Sequence, residues 1–246
     1  MLRAVRAAPE RIHETVSDDI LIEVRSVQKR ALVMELESVA VPTRRLVFET
    51  LRSLLSEEGI PFDETGMLRH GLHSVPARIA AELAAAYGLK PAVQKSLGDR
   101  VAKALMDHFA SPAAVLRLGL DRVLSTARGH GAAIGLISWQ PEPAAAALVS
   151  RVGLDQSQPL LLCFPQPDHE FPGADNWLRL LKAMGRQPQD AVALCDSRAG
   201  CRSALTAGLR VVAVPDEFTL HQDFGGADAL VHHAEDVTAE MLFGRL

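Results

Sequence analysis

Two glutamates, Glu35 and Glu37, close the apolar run Ala31-Leu32-Val33-Met34. On a strand, residues two apart project from the same face. A carboxylate pair leaving the carboxyl end of a buried strand sits where open α/β sheets place their ligands. Such a pair can exchange protons or hold a hard cation. Two later positions belong to the same question. Ser138 ends the apolar stretch Ala133-Ile134-Gly135-Leu136-Ile137 and has a hydroxyl to offer an anion, although alone it reads as the start of a turn before Pro141. Asp196 follows Leu194-Cys195 and precedes Ser197-Arg198-Ala199-Gly200, where an aspartate can also cap a helix.

The elements that must position these groups alternate. Apolar runs at 31–34, 133–137, 159–163, 191–195 and 210–214 are separated by amphipathic segments at 119–128, 143–152, 174–184 and 198–207. Continuous apolar strands between helices predict an α/β fold with a doubly wound parallel sheet buried on both faces. The stretch from 43 to 112 breaks the alternation: it predicts helices at 44–58, 75–87 and 91–108 and no strand. Gly59 and Gly88 stand as C-terminal caps, and Pro76 lies in a first turn. This organisation gives an N-terminal extension at 1–29, an α/β core at 30–42 and 113–246, and a helical cap at 43–112.

Composition excludes several classes of function. A formal net charge of -4 gives no excess of cations to displace counterions from nucleic acid, and 4% aromatic residues disfavour a base-stacking platform. No apolar run approaches the roughly 20 residues of a membrane span. The N-terminus lacks the apolar centre of a signal peptide. Cys163, Cys195 and Cys201 form no zinc-type pair, which fits reduced thiols and a cytoplasmic location.

With these motifs in place, residues 31–240 resemble the haloacid dehalogenase (HAD)-like hydrolases, in particular their β-phosphoglucomutase and xylulose-bisphosphate phosphatase branch. The resemblance implies a Rossmann-like core with an inserted cap. It also implies an aspartate nucleophile at Glu35, an aspartate acid–base at Glu37, a phosphate-binding hydroxyl at Ser138 and an acidic metal loop at Asp196. Glu35, the backbone carbonyl of Glu37 and Asp196 are then the donors for a weak Mg2+ site. His73 and Arg78 are the expected cap contacts to substrate. One of Arg44 and Arg45, at the head of the first cap helix, is expected to face the cleft. The segment from Val214 to Asp228 is expected to be structural.

The departures from the family pattern bear on chemistry. Both first-motif aspartates are glutamates here, each side chain one carbon longer. Phe171, in Phe171-Pro172-Gly173, stands where the family has a charge-neutralising lysine, and Cys195 stands where it often has a second acid. Moving a nucleophile by about 1 Å costs about a hundredfold, and losing a preorganised charge about 10²–10³. Taken together these predict a degenerate phosphatase site in a protein that acts by binding a phosphorylated metabolite or a protein partner. The alternatives are a slow Mg2+-dependent phosphatase of small sugar phosphates, and a structural subunit assembled through the N-terminal extension.

Overall fold

The computed structural model describes residues 29–165 and 171–244, so the expected extension lies outside the described residues except for Lys29. Six parallel strands form one sheet in the order β3-β2-β1-β4-β5-β6. They are β1 (Ala31–Glu35), β2 (Ala133–Ser138), β3 (Leu160–Cys163), β4 (Ala191–Cys195), β5 (Arg210–Ala213) and β6 (Ala229–Leu230). The expected α/β class with a parallel sheet is therefore correct. β6 is an addition: two residues carry no legible apolar run.

β1 lies at the centre because Ala31, Leu32, Val33 and Met34 are wholly buried, leaving it no face for solvent. Its neighbours are β2 and β4. Their register sets Glu35 beside Ile137 and Met34 beside Leu194. Ser138 and Asp196 therefore leave the sheet at the same edge as the two glutamates. Gly135 makes room on β2: a Cβ there would come within 2.6 Å of the Met184 sulfur and 3.1 Å of Val33.

β1 ends at Glu35, and Glu37 makes only an isolated bridge to Val41. The chain folds back at once, with the Ala40 amide donating to the Glu35 carbonyl and the Val41 amide to that of Leu36. The turn forces Ser38 into the left-handed region at φ 73°, a conformation costing about 1–3 kcal/mol for a residue with a side chain.

Between β1 and β2 the chain forms α1 (Arg44–Glu57), α2 (Glu64–His70), α3 (Pro76–Tyr87), α4 (Pro91–Phe109) and α5 (Leu120–Gly129). α1 to α4 form a helical insertion over the carboxyl edge of the sheet, its interior built from residues such as Phe48, Leu51, Leu83 and Val101. α2 was not anticipated, although Asp63 caps it by accepting from the Gly66 amide at 2.9 Å. The remaining helices, α6 (Glu142–Arg151), α7 (Ala174–Met184), α8 (Arg198–Thr206) and α9 (Ala239–Phe243), belong to the core. α7 and α8 are joined by buried Trp177, whose indole N–H donates to the Ser203 hydroxyl at 2.8 Å.

The return from the insertion to the core depends on Gly119. It has φ 80°, and a Cβ there would lie 2.7 Å from the Glu235 backbone nitrogen. Gly119→Ala therefore meets both a disfavoured dihedral and a fixed backbone atom. It is expected to destabilise the protein by more than about 1 kcal/mol, measured as a lower urea midpoint. A midpoint unchanged from wild type would refute this account of the return connection.

Candidate functional site

Glu35, Glu37, Ser138 and Asp196 come together at the carboxyl edge, each no more than 2% exposed. Their partners come from three directions. The Ser138 hydroxyl donates to Glu37 Oε1 at 2.6 Å, and the Gln140 side-chain amide donates to the same oxygen. The Ser74 hydroxyl, on the connection between α2 and α3, donates to Glu35 Oε2 at 2.9 Å. Among the described residues Glu35 Oε1 has no partner, and neither does Glu37 Oε2. Gly200, in the first turn of α8, makes room for Glu35, since a Cβ there would lie 3.1 Å from Oε1.

Asp196 is held differently. Arg44 grips it with both terminal nitrogens, Nη1 to Oδ2 at 2.7 Å and Nη2 to Oδ1 at 2.8 Å. Arg117 Nη2 donates to Oδ2 at 2.8 Å, and the Ser38 hydroxyl lies 3.4 Å from Oδ1. Arg44 Nη1 also reaches Asp216 Oδ2 at 2.7 Å. Of the two arginines at the head of α1, Arg44 therefore faces inward and is 6% exposed, whereas Arg45 is 47% exposed and pairs with Glu217. Asp216 lies in the segment expected to be structural, and its role is more specific: it is the second carboxylate on Arg44.

The electrostatics follow from burial and neighbours. Burial, then the charge of Asp196, pushes the Glu35 carboxyl up to about 8; the Ser74 hydrogen bond and the Arg44 charge offset only part of this. Glu35 is thus largely an uncharged acid at neutral pH and a poor nucleophile. Burial also raises Glu37, against the hydrogen bonds from Ser138 and Gln140. Asp196 is buried as deeply, which by itself would raise it, but Arg44 and Arg117 hold it below the usual carboxylate range. Cys195 lies next to this group, and burial followed by the Glu35 charge pushes its thiol well up, so it stays a neutral neighbour.

A divalent cation fits these residues poorly. Mg2+ needs oxygen donors at about 2.0–2.1 Å in an octahedron, and both oxygens of Asp196 already accept from guanidinium groups. Two unit charges about 4 Å apart interact by roughly 4 kcal/mol at an effective dielectric near 20, so the two arginines offset the attraction that Asp196 and Asp216 would exert on the ion. Among the described residues no group of three acidic, histidine or cysteine side chains is set to hold a metal. The expected donor set of Glu35, Glu37 and Asp196 is assembled, but Asp196 is paired with two arginines and burial favours the protonated forms of Glu35 and Glu37.

The space over the carboxylates is small. A cavity of about 10 Å³ remains among Glu37, Ser38, Arg44, Ser74 and Trp139, enough for about one water. A far larger cleft of about 660 Å³ opens beside it, between the insertion and the N-termini of α7 and α8, with Arg69, His73, Arg198 and Arg202 on its walls. His73 borders both spaces and lies 3.7 Å from Glu82. Arg78 is exposed on α3 and forms no hydrogen bond to the carboxylates. Phe171 is 6% exposed and packs against Phe164 at 6.1 Å between centroids, an apolar contact where a lysine was expected by resemblance.

Arg117, Ser74 and Gln140 were not anticipated. Arg117 follows no apolar period and lies in a connection, and the hydroxyl of Ser74 reads as a helix start. Gln140 carries a weak signal, two residues beyond Ser138 on the same run.

No family model matches this sequence. Over 57 residues it is 49% identical to protein CbbY of Rhodobacter capsulatus, a stretch covering 23% of this chain and 25% of that protein. The chain thus spans about a quarter of that relative in sequence. In structure the likeness is wider. CbbY from Rhodobacter sphaeroides, in complex with phosphate, matches with a TM-score of 0.69 at 19% identity, over 85% of this chain and 96% of that one. A HAD hydrolase of family IA from Entamoeba histolytica matches with a TM-score of 0.67 at 14% identity, over 87% and 97% of the two chains. The fold is that of the HAD-like hydrolases, and among them the chain resembles CbbY. No helix among the described residues is long and apolar enough to cross a membrane.

The raised carboxyl of Glu35 has a consequence for stability. Its folded value of about 8 lies above the ordinary 4.5, so the native state binds its proton more tightly than the unfolded chain. Stabilisation from this group is complete below pH 4.5 and is lost as pH rises to about 8. The neutral variant Glu35→Gln is expected to show a shallower fall of the urea midpoint across that window, with Glu37 supplying some of the remaining slope. An equal slope in the two proteins would mean that Glu35 is already ionised when folded.

Proposed function

We propose that this HAD-fold protein does not turn over phosphate esters and instead binds a phosphorylated small molecule in the open cleft beside its buried carboxylates. One observation carries the first part: Glu35, Glu37 and Asp196 each have partners from the protein itself beneath a cavity of about 10 Å³. A phosphoryl group has neither room there nor an ionised nucleophile at Glu35. In-line transfer depends on positioning and charge, and Phe171 brings no cation to it.

The second part is supported by the cleft of about 660 Å³, within the range usual for small-molecule sites. Arg69, Arg198 and Arg202 border it, and the N-termini of α7 and α8 add their partial positive charge. These groups suit an anion bound without chemistry.

A second reading, a slow Mg2+-dependent phosphatase of small sugar phosphates, is favoured by one observation: CbbY binds phosphate, and a variant of it binds xylulose-(1,5)-bisphosphate. Phosphate release from a panel of sugar phosphates that includes this compound separates the two. Turnover is expected at background, while calorimetry with the same compound should show binding that weakens about tenfold in an Arg198→Ala, Arg202→Ala variant, equivalent to about 1.4 kcal/mol. Robust Mg2+-dependent release abolished by Glu35→Gln would establish the phosphatase instead. Restoring aspartate at residue 35 alone should recover little, because Phe171 and the arginines on Asp196 remain. Groups acting as a unit are strongly non-additive. Joint replacement of Glu35, Glu37 and Cys195 by Asp and of Phe171 by Lys is expected to gain more than the product of the single changes.

A further inference from the structure

The arginines on Asp196 come from the two connections that join the helical insertion to the core. Arg44 is the first residue of α1, where the chain enters the insertion, and Arg117 lies on the return between α4 and α5. Both converge on one wholly buried carboxylate at the end of β4. Arg117 also ties the connections to each other. Its Nε donates to the Val39 carbonyl at 2.7 Å, its Nη2 to that of Ser38 at 2.6 Å, and its backbone amide to that of Ala40 at 2.8 Å.

The charges close within this group. Arg44 and Arg117 supply two positive charges, and Asp196 and Asp216 supply two negative ones, so the charge of Asp196 is already met by the chain, while Glu37 has neutral donors on one oxygen. The guanidinium groups also provide what such an ion would provide at this edge of the sheet, a positive charge joining carboxylates from separate strand ends. Unlike an ion, they are fixed to the chain, and to the segments about which the insertion would move.

We infer that Arg44 and Arg117 replace a divalent cation at Asp196, so that the protein binds no magnesium there and its helical insertion is anchored to the core by its own side chains. The inference does not rest on the absence of turnover. Phosphate release insensitive to EDTA would refute the proposed function while supporting it.

The test begins with the unmodified full chain. Calorimetric titration with Mg2+, Mn2+ titration followed by electron paramagnetic resonance, and thermal melting with and without EDTA are the three measurements. The expected result is no saturable binding and a melting temperature unmoved by chelator or metal. Saturable Mn2+ or Mg2+ binding that is lost in Asp196→Asn would overturn the inference. The double variant Arg44→Gln, Arg117→Gln supplies the converse, since it frees the Asp196 oxygens. Its melting temperature should be lower than wild type and should rise with Mg2+, a response absent from wild type. If that variant folds and melts like wild type without metal, the anchoring role is refuted. If it does not fold, the wild-type titrations decide the metal question, and single Arg117→Gln, which leaves the bidentate Arg44 pair, takes over the anchoring test. Proteolysis within the connections should then accelerate relative to wild type, and unchanged cleavage would refute the anchor.

Discussion

The bidentate pair between Arg44 and Asp196 is the contact on which the arrangement of the molecule depends. Both groups are almost fully withdrawn from water, so neither is tolerable alone: removing one partner of a buried pair typically costs about 3–5 kcal/mol. That dependence extends outward. Asp196 is fixed by the end of β4, Arg44 by the start of α1, and Asp216 by the loop after β5. Arg117 adds the return connection, and through the Ser38 carbonyl it holds the tight turn after β1 in its left-handed conformation. A strained residue persists where its surroundings over-determine it, and Ser38 is held through its carbonyl, its amide and its hydroxyl.

The extra methylene in Glu35 and Glu37 acts in the same direction. The longer side chains turn towards the protein. Glu35 reaches Ser74 in the insertion, and Glu37 reaches Ser138 and Gln140 beyond β2. The contact from Glu35 joins the sheet to the insertion, and those from Glu37 stay within the core. The buried acid Glu35, neutral at ordinary pH, removes a negative charge that Arg44 would otherwise share with Asp196 and Asp216. Length, protonation and the arginine pair are thus mutually consistent: each reduces the need for an external cation.

How far the sequence discloses this differs by element. The sheet is legible because β1, β2 and β4 are covered on both faces, which demands continuous apolar runs that no amphipathic helix would carry. β6 is hidden because two residues cannot display a pattern, and α2 because its seven residues include only two buried positions. The acidic positions are visible from spacing and from the resemblance. Their partners are not. Adjacent Arg44 and Arg45 have the same chemistry, and only the phase of α1 against the sheet decides which is buried. Arg117 meets Asp196 across 79 positions of sequence, from a connection with no periodicity to read. Arg78, expected at the cleft by resemblance, is exposed on α3, whose core-facing positions are Ile79 and Leu83.

A fold shared with phosphate-binding enzymes constrains where a ligand can sit more than what is done to it. In this chain the carboxyl edge of the sheet is divided in two. Over β1 and β4 Asp196 is fully matched inside the protein, Glu35 and Glu37 are matched through one oxygen each, and the cavity shrinks to the size of a water. Beside α7 and α8 the cleft stays wide, and its arginines make no ion pair among the described residues. Water exclusion strengthens every charge interaction in the first region, while solvent weakens those in the second. The buried region is therefore suited to holding the insertion in register with the core, and the open one to exchanging an anion with solvent. A phosphatase needs both properties at one point, with the charged carboxylate and the exchangeable phosphate in contact. Here the dense charge and the accessible space have been separated, with His73 on the border between them.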